Sequence, residues 1–136
     1  MKKLFTSVIV GLLAIATLTA AVKKPLPPCK WAGLYLGLVD ATSIPKGADV
    51  VRTAFWLTIE TNYTVSGQDY LYDGTPTGQY YKGTISSAGA IAITNQTFDI
   101  TAKGTVAARG KISGTFNNRQ IGVKGTIIAY RDTLYP

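Results

Sequence analysis

The sequence predicts an all-β protein, a small antiparallel up-and-down β-barrel of about seven or eight strands, with a β-sandwich as the alternative. Three observations carry this reading. The tripeptide K-G-T recurs at Lys82, Lys103 and Lys124, 21 residues apart each time. Apolar and polar residues alternate with a period of two over much of the chain. After the N-terminal segment, no stretch has the spacing of an amphipathic helix.

The N-terminal segment reads as an address. Lys2 and Lys3 precede an apolar run from Val8 to Leu18, and small residues follow, with Thr19 at −3 and Ala21 at −1 of a cleavage point. That order is the pattern of a secretory signal peptide, so residues 1–21 are assigned to export. The run is shorter than the roughly 18 to 20 residues of a membrane-spanning helix, and no transmembrane helix is expected in the mature chain. The basic start and compact length suit a bacterial exported protein in the periplasm or the medium, with the outer membrane as the alternative. Without Lys2 and Lys3 the formal charge falls from +7 to +5. The remaining basic residues are scattered rather than blocked, which argues against nucleic acid and leaves an anionic envelope component as a partner.

Residues 22–30 form a Pro-rich leader, because Pro25, Pro27 and Pro28 cannot donate to a sheet ladder and favour an extended chain. Cys29 is the one cysteine in the sequence and has no internal partner. It reads as an unpaired thiol near Trp31, with an intermolecular bridge as the other use. Residues 31–136 form a single β domain. Trp31 to Val39 is the first candidate strand, and Pro45 and Gly47 mark the loop after it. Val50 to Glu60 is the strongest, with Phe55, Leu57 and Ile59 on one face and Trp56, Thr58 and Glu60 on the other. Tyr63 to Tyr72 follows, then turn residues at Asp73, Gly74, Pro76 and Gly78.

From Thr97 the alternation is regular: Thr97, Asp99, Thr101, Lys103 and Thr105 are polar, while Phe98, Ile100, Ala102, Gly104 and Val106 are apolar or small. Arg109-Gly110 reads as a turn, Lys111 to Phe116 as the returning strand, and Asn117-Asn118 as the next turn. Two strands and their turns fill one period, so each 21-residue unit is one hairpin of a meander. The parity puts Gly83, Gly104, Gly114 and Gly125 on the apolar side as a structural glycine belt. Glycine weakens a strand unless curvature or close approach needs it, which suits a sharply bent sheet; the other use is room for a ligand. Lys82, Lys103 and Lys124 fall on the opposite face.

The inventory for catalysis is sparse. The sequence contains no histidine, which removes the usual Ser-His and Cys-His nucleophile arrangements and His-ligated metal sites. Asp69 and Asp73 flank a turn, where aspartate is common for local reasons. No catalytic residue, metal site or cofactor is predicted, and the protein is read as a non-enzyme. The candidate ligand-binding residues are aromatic: Trp56, Tyr70, Tyr72, Tyr80 and Tyr81, gathered near one turn, where they would stack on a ring or line the entry of an apolar ligand. Cross-strand pairing that steadies the sheet is the competing use.

Two resemblances follow. Trp31-Ala32-Gly33-Leu34-Tyr35-Leu36-Gly37 resembles the W-x-G-x-Y-x-G first strand of some small Gram-negative outer-membrane barrels, which implies a barrel with lipid against its apolar side. In size and meander the chain is similar to lipocalin-like barrels, which implies a ligand in the interior; their first-strand G-x-W stands inverted here as Trp31-x-Gly33. The expected function is accordingly an exported, non-enzymatic barrel that binds a small apolar ligand or an envelope partner. An outer-membrane barrel and a structural or assembly protein of the envelope, joining copies as a homo-oligomer, are the alternatives.

Overall fold

A computed structural model describes residues 24–48 and 53–134. The expected signal segment, residues 22 and 23 of the leader and the start of the second candidate strand lie outside the described residues. The rest is all-β. Eight strands, β1 (Gly33–Ser43), β2 (Thr53–Ile59), β3 (Thr64–Leu71), β4 (Pro76–Ile85), β5 (Ala90–Asn95), β6 (Ile100–Val106), β7 (Lys111–Asn118) and β8 (Val123–Arg131), run in sequence order around a closed antiparallel barrel. Closure is made by β1 against β8, from Tyr35 opposite Arg131 to Ala41 opposite Gly125 and, past a register shift, Ser43 opposite Lys124.

Four hairpins are built on one turn. In the β4–β5 turn the Ser86 N–H donates to the Ala90 carbonyl and the Gly89 N–H to the Ser86 carbonyl; the β6–β7 turn repeats this from Ala107 to Gly110. Gly89 and Gly110, one period apart, both take positive φ, 89° and 73°. This is a type I turn closed by a left-handed residue, a common hairpin connection. Leu71–Gly74 and Glu60–Tyr63 make the same pair of bonds, but in the β2–β3 turn the left-handed place belongs to Tyr63, with φ 70°.

Some element bounds differ from those the sequence predicts. Pro76 and Gly78 fall inside β4 instead of the turn. Pro76 opens the strand, where its missing N–H costs no ladder bond, and Gly78, with φ 75°, sits in a bulge. Thr97 to Asp99 belong to a turn, because the Asn95 side chain accepts the Phe98 N–H and Asp99 turns left-handed at φ 48°. Asn117 and Asn118 continue β7, paired with Lys124 and Val123, and the reversal is made by Arg119 to Gly122. Trp31 and Ala32 precede β1 in a turn held by the Ala32 N–H on the Cys29 carbonyl.

Strand neighbours approach so closely at the inward glycines that a side chain there has no room. A Cβ on Gly114 would lie 2.7 Å from the Gly104 Cα, and one on Gly83 would lie 2.7 Å from the Ile93 Cα. One on Gly125 would lie 2.8 Å from the Ala41 Cα. Gly104 and Gly114 face each other directly across β6 and β7. The three K-G-T lysines are exposed on β4, β6 and β8. The tilt of the strands leaves Lys82 and Lys124 in one cross-barrel row, through Thr94, Thr101 and Asn117, with Lys103 two residues further along β6.

The two ends of the barrel differ. At the end where the chain enters, Tyr35, Leu57, Ile59 and Ile112 are fully buried, and Val65, Ile85, Ile91, Val106 and Ala129 pack around them. Tyr35 donates its hydroxyl proton to the Trp31 carbonyl at 2.8 Å. The leader closes this end: the Cys29 N–H donates to the Thr61 carbonyl, the Tyr63 hydroxyl donates to the Pro27 carbonyl, and the Cys29 thiol is free and buried. The opposite end is open.

Candidate functional site

The open end leads into a cavity of about 290 Å³ inside the barrel. Its apolar wall includes Phe55 and Leu57 of β2, Ile100 and Ala102 of β6, Phe116 of β7 and Ile127 of β8. These residues are inward because they share the parity of the core side chains on their strands. The small residues Ala41 and Ala102 leave the space that bulkier core residues fill at the other end. The volume is at the lower bound of ordinary ligand pockets, about 300 Å³.

One corner of the wall is polar and comes from β3 and β4. Along β3 the inward positions are Val65, Gly67, Asp69 and Leu71, so the alternation carries a carboxylate into the core side. Opposite it the ladder breaks: Gln68 pairs with Tyr80 and Tyr70 with Pro76, leaving Thr77–Gln79 bulged against Asp69. A bulge of this kind re-aims side chains at a barrel rim. Thr77, Gln79 and Tyr81 all reach the cavity wall. Asp69 is 4 % exposed, and its Oδ2 accepts the Tyr81 hydroxyl proton at 2.7 Å. The Tyr81 hydroxyl also lies 3.1 Å from the Gln79 Oε1, and the Thr77 hydroxyl donates to the Asp69 backbone carbonyl. Among the described residues, Asp69 Oδ1 has no hydrogen-bond partner.

The electrostatics follow from burial. Loss of water pushes the Asp69 carboxyl up to about 6, against the opposing hydrogen bond from Tyr81. Burial, and then the neighbouring Asp69 charge, hold the Tyr81 phenol well above its ordinary range. Asp69 and Tyr81 are the titratable residues among the described lining side chains, and none of those is basic.

Of the five aromatic residues proposed as ligand contacts, Tyr81 lines this cavity. Trp56, Tyr70 and Tyr80 have the other parity and stand on the outside, and Tyr72 is exposed at the β3–β4 turn. On the outside the Trp56 indole N–H donates to the Tyr70 hydroxyl at 2.6 Å, and Tyr70 donates onward to Gln68 Oε1. A cross-barrel row links Tyr130, Leu36, Trp56, Gln68 and Tyr80. The glycines of the proposed belt occupy inward positions, but Gly83, Gly104, Gly114 and Gly125 are absent from the cavity wall. Asp69 is the site residue that turn chemistry concealed; a carboxylate on the apolar parity of Val65 and Leu71 is the signal that reveals it. Among the described residues, no group of three or more His, Cys, Asp or Glu side chains is arranged to hold a metal ion.

Protein-family models, curated proteins and solved structures were all compared with the chain, and none of them matches it.

Proposed function

We propose that the protein is an exported, non-enzymatic carrier or sensor that takes a small, mainly apolar ligand into the open end of its barrel. The observation that carries this reading is the cavity itself: a mainly apolar chamber with one acidic side chain, Asp69, in its wall, open at one end and closed by packed side chains at the other. Ligand sites of soluble barrels have this composition, with apolar walls for affinity and a few polar groups for orientation. A single buried carboxylate, hydrogen-bonded to a phenol whose proton is held tightly, lacks the partners of a two-carboxylate or nucleophilic mechanism. The signal-like N-terminus supports export.

The membrane-spanning alternative is less well supported by the exterior. Lipid-facing strands need about 9 to 11 residues of apolar-outward alternation. Here β5 has 6 residues and β6 has 7, and the outward side chains of β6 and β7 include Thr101, Lys103, Thr105, Ser113, Thr115 and Asn117. One sector does favour a partner at the surface: Leu36, Leu38, Ile128 and Tyr130 are exposed together on β1 and β8. It is the observation behind the second reading, an envelope partner seated on the outside.

Native mass spectrometry of the protein purified gently from its own cell envelope tests the first reading. A small molecule retained on the folded chain and lost on denaturation is the expected result. A bare monomer mass counts against a carrier, and a dimer or larger mass moves the weight to assembly. Release of the protein by osmotic shock separates a soluble barrel from an inserted one.

A further inference from the structure

The polar corner of the cavity says more about the ligand than its volume does. Asp69 carries two acceptor oxygens into a wall whose other polar side chains, Thr53, Thr77, Gln79, Tyr81 and Asn118, are uncharged, and Tyr81 satisfies one of those oxygens. The other, Oδ1, is buried in the cavity wall without a donor among the described residues. A buried acceptor left unpaired costs as much as a lost hydrogen bond or more, and a buried charge costs more again unless it is paired. The β3–β4 bulge brings Thr77 and Gln79 into the same wall, the Thr77 hydroxyl on the Asp69 backbone carbonyl and Gln79 Oε1 on the Tyr81 hydroxyl. Phe55 of β2, Tyr81 of β4 and Phe116 of β7 supply aromatic surface to the same cavity wall.

We propose that the cavity binds a small organic cation, a primary amine on an aryl or alkyl body, with its ammonium group paired to Asp69 Oδ1. The inference rests on the carrier reading above and specifies its ligand class. An ammonium group brings three donors and no acceptor, which matches a corner of unpaired or shareable acceptors: Asp69 Oδ1, Gln79 Oε1 and the Thr77 hydroxyl. A carboxylate ligand would meet Asp69 charge to charge. A purely hydrocarbon ligand would leave Oδ1 unpaired and drier than before. A neutral alcohol could give Oδ1 one proton but could not neutralise the charge. The aromatic walls suit the body of such an amine and attract its charge through their faces. Binding would also draw the Asp69 carboxyl down from its raised value, since a cation beside it favours the ionised form.

Isothermal titration of the purified protein with 2-phenylethylamine, 2-phenylethanol and 3-phenylpropionate tests the proposal, because the three differ mainly in the polar end. The amine is expected to bind at least ~10-fold more tightly than the alcohol, as a charge-assisted hydrogen bond predicts, and the propionate most weakly. Amine affinity should rise between about pH 5 and about pH 7.5, as Asp69 ionises, while alcohol affinity stays level. Asp69→Asn should remove the amine's advantage and leave the alcohol within roughly 3-fold. Tyr81→Phe, which frees Oδ2, should keep or strengthen amine binding. If the alcohol binds as tightly as the amine at every pH, the amine proposal fails and the carrier reading stands, with an ordered water as the partner of Oδ1. If none of the three binds at millimolar concentration, the carrier reading for ligands of this size fails with it. The comparison of probes and the pH series use the unaltered protein, so a variant that does not fold leaves the test decisive.

Discussion

The Tyr81 hydroxyl donates to Asp69 Oδ2 at 2.7 Å across β3 and β4, and the pair is buried together. The hydrogen bond favours the carboxylate, but burial outweighs it and raises the Asp69 carboxyl from 3.8 to about 6. The folded protein therefore holds this proton over a range of pH in which the unfolded chain has released it. Asp69's contribution to stability is full below about 3.8 and is lost as pH rises through about 6. The loss is of order 3 kcal/mol. Asp69→Asn removes the titration and keeps an acceptor for Tyr81. The variant should gain on the parent as pH rises from about 4 to about 7, by up to ~3 kcal/mol. Urea unfolding of both proteins at a series of pH values measures the difference, in which the other carboxylates cancel. A difference that stays flat over this range would show that Asp69 titrates alike in both states.

Gly104 and Gly114 stand opposite each other on β6 and β7 with their Cα atoms facing the interior. A methyl group on Gly114 would come 2.7 Å from the Gly104 Cα and 3.0 Å from the Lys103 carbonyl carbon. Both are backbone atoms, so no rotamer change relieves the contact. Gly114→Ala should destabilise the barrel by about 1–3 kcal/mol, the usual range for overpacking. Ser113→Ala, on the exposed face of the same strand, should stay within ~0.5 kcal/mol of the parent. Thermal unfolding followed by circular dichroism separates these outcomes. Equal melting temperatures for Gly114→Ala and the parent would remove close approach as the reason for glycine here.

The sequence made the meander legible because its markers are local. Lys82, Lys103 and Lys124 repeat on β4, β6 and β8, and Gly89 and Gly110 repeat the turn inside the β4–β5 and β6–β7 hairpins, so a 21-residue period reports strand spacing directly. Strand ends were less legible. Pro76 and Gly78 are turn formers by propensity, yet β4 absorbs both at its first residue and at a bulge. The site was hardest to read, because it depends on how parity meets that bulge. Tyr80 and Tyr81 are adjacent and chemically alike, but one faces solvent and the other the cavity. Which of them points inward is fixed by pairing with β3 and β5, and aromatic clustering along the chain does not report it. Asp69 likewise gains its character from burial that the turn residues after it obscure.

Tyr63 takes the left-handed position that Gly74, Gly89 and Gly110 hold in the related turns. A tyrosine in that conformation is strained by about 1–2 kcal/mol relative to glycine. Its side chain offsets the strain by packing against the closed end of the core and donating to the Pro27 carbonyl at 2.9 Å. That bond ties the leader next to buried Cys29. Tyr63→Phe removes the bond and keeps most of the packing. The global stability should fall by no more than ~1 kcal/mol, while the Cys29 thiol should react with a maleimide about 3- to 10-fold faster. Labelling rates under native conditions measure this, and an unchanged rate would mean that the Cys29 N–H bond to Thr61 holds the leader without help from Tyr63.

Ala102 lies on β6 between Ile93 of β5 and Phe116 of β7, and its side chain is part of the cavity wall. A larger residue there would project into the chamber instead of into packed atoms. Ala102→Phe should therefore fold, with a stability change of no more than ~2 kcal/mol, because burial of the ring opposes any overpacking at its edges. The same ring would occupy the space that a ligand needs. Binding of 2-phenylethanol should weaken by more than ~10-fold, measured by titration calorimetry on a variant whose circular dichroism matches the parent. If the variant folds and binds the probe unchanged, the ligand does not sit in the barrel. The aromatic residues on the outside then become the binding surface, and Trp56→Ala, which breaks the bond to Tyr70, should abolish the binding that Ala102→Phe spares.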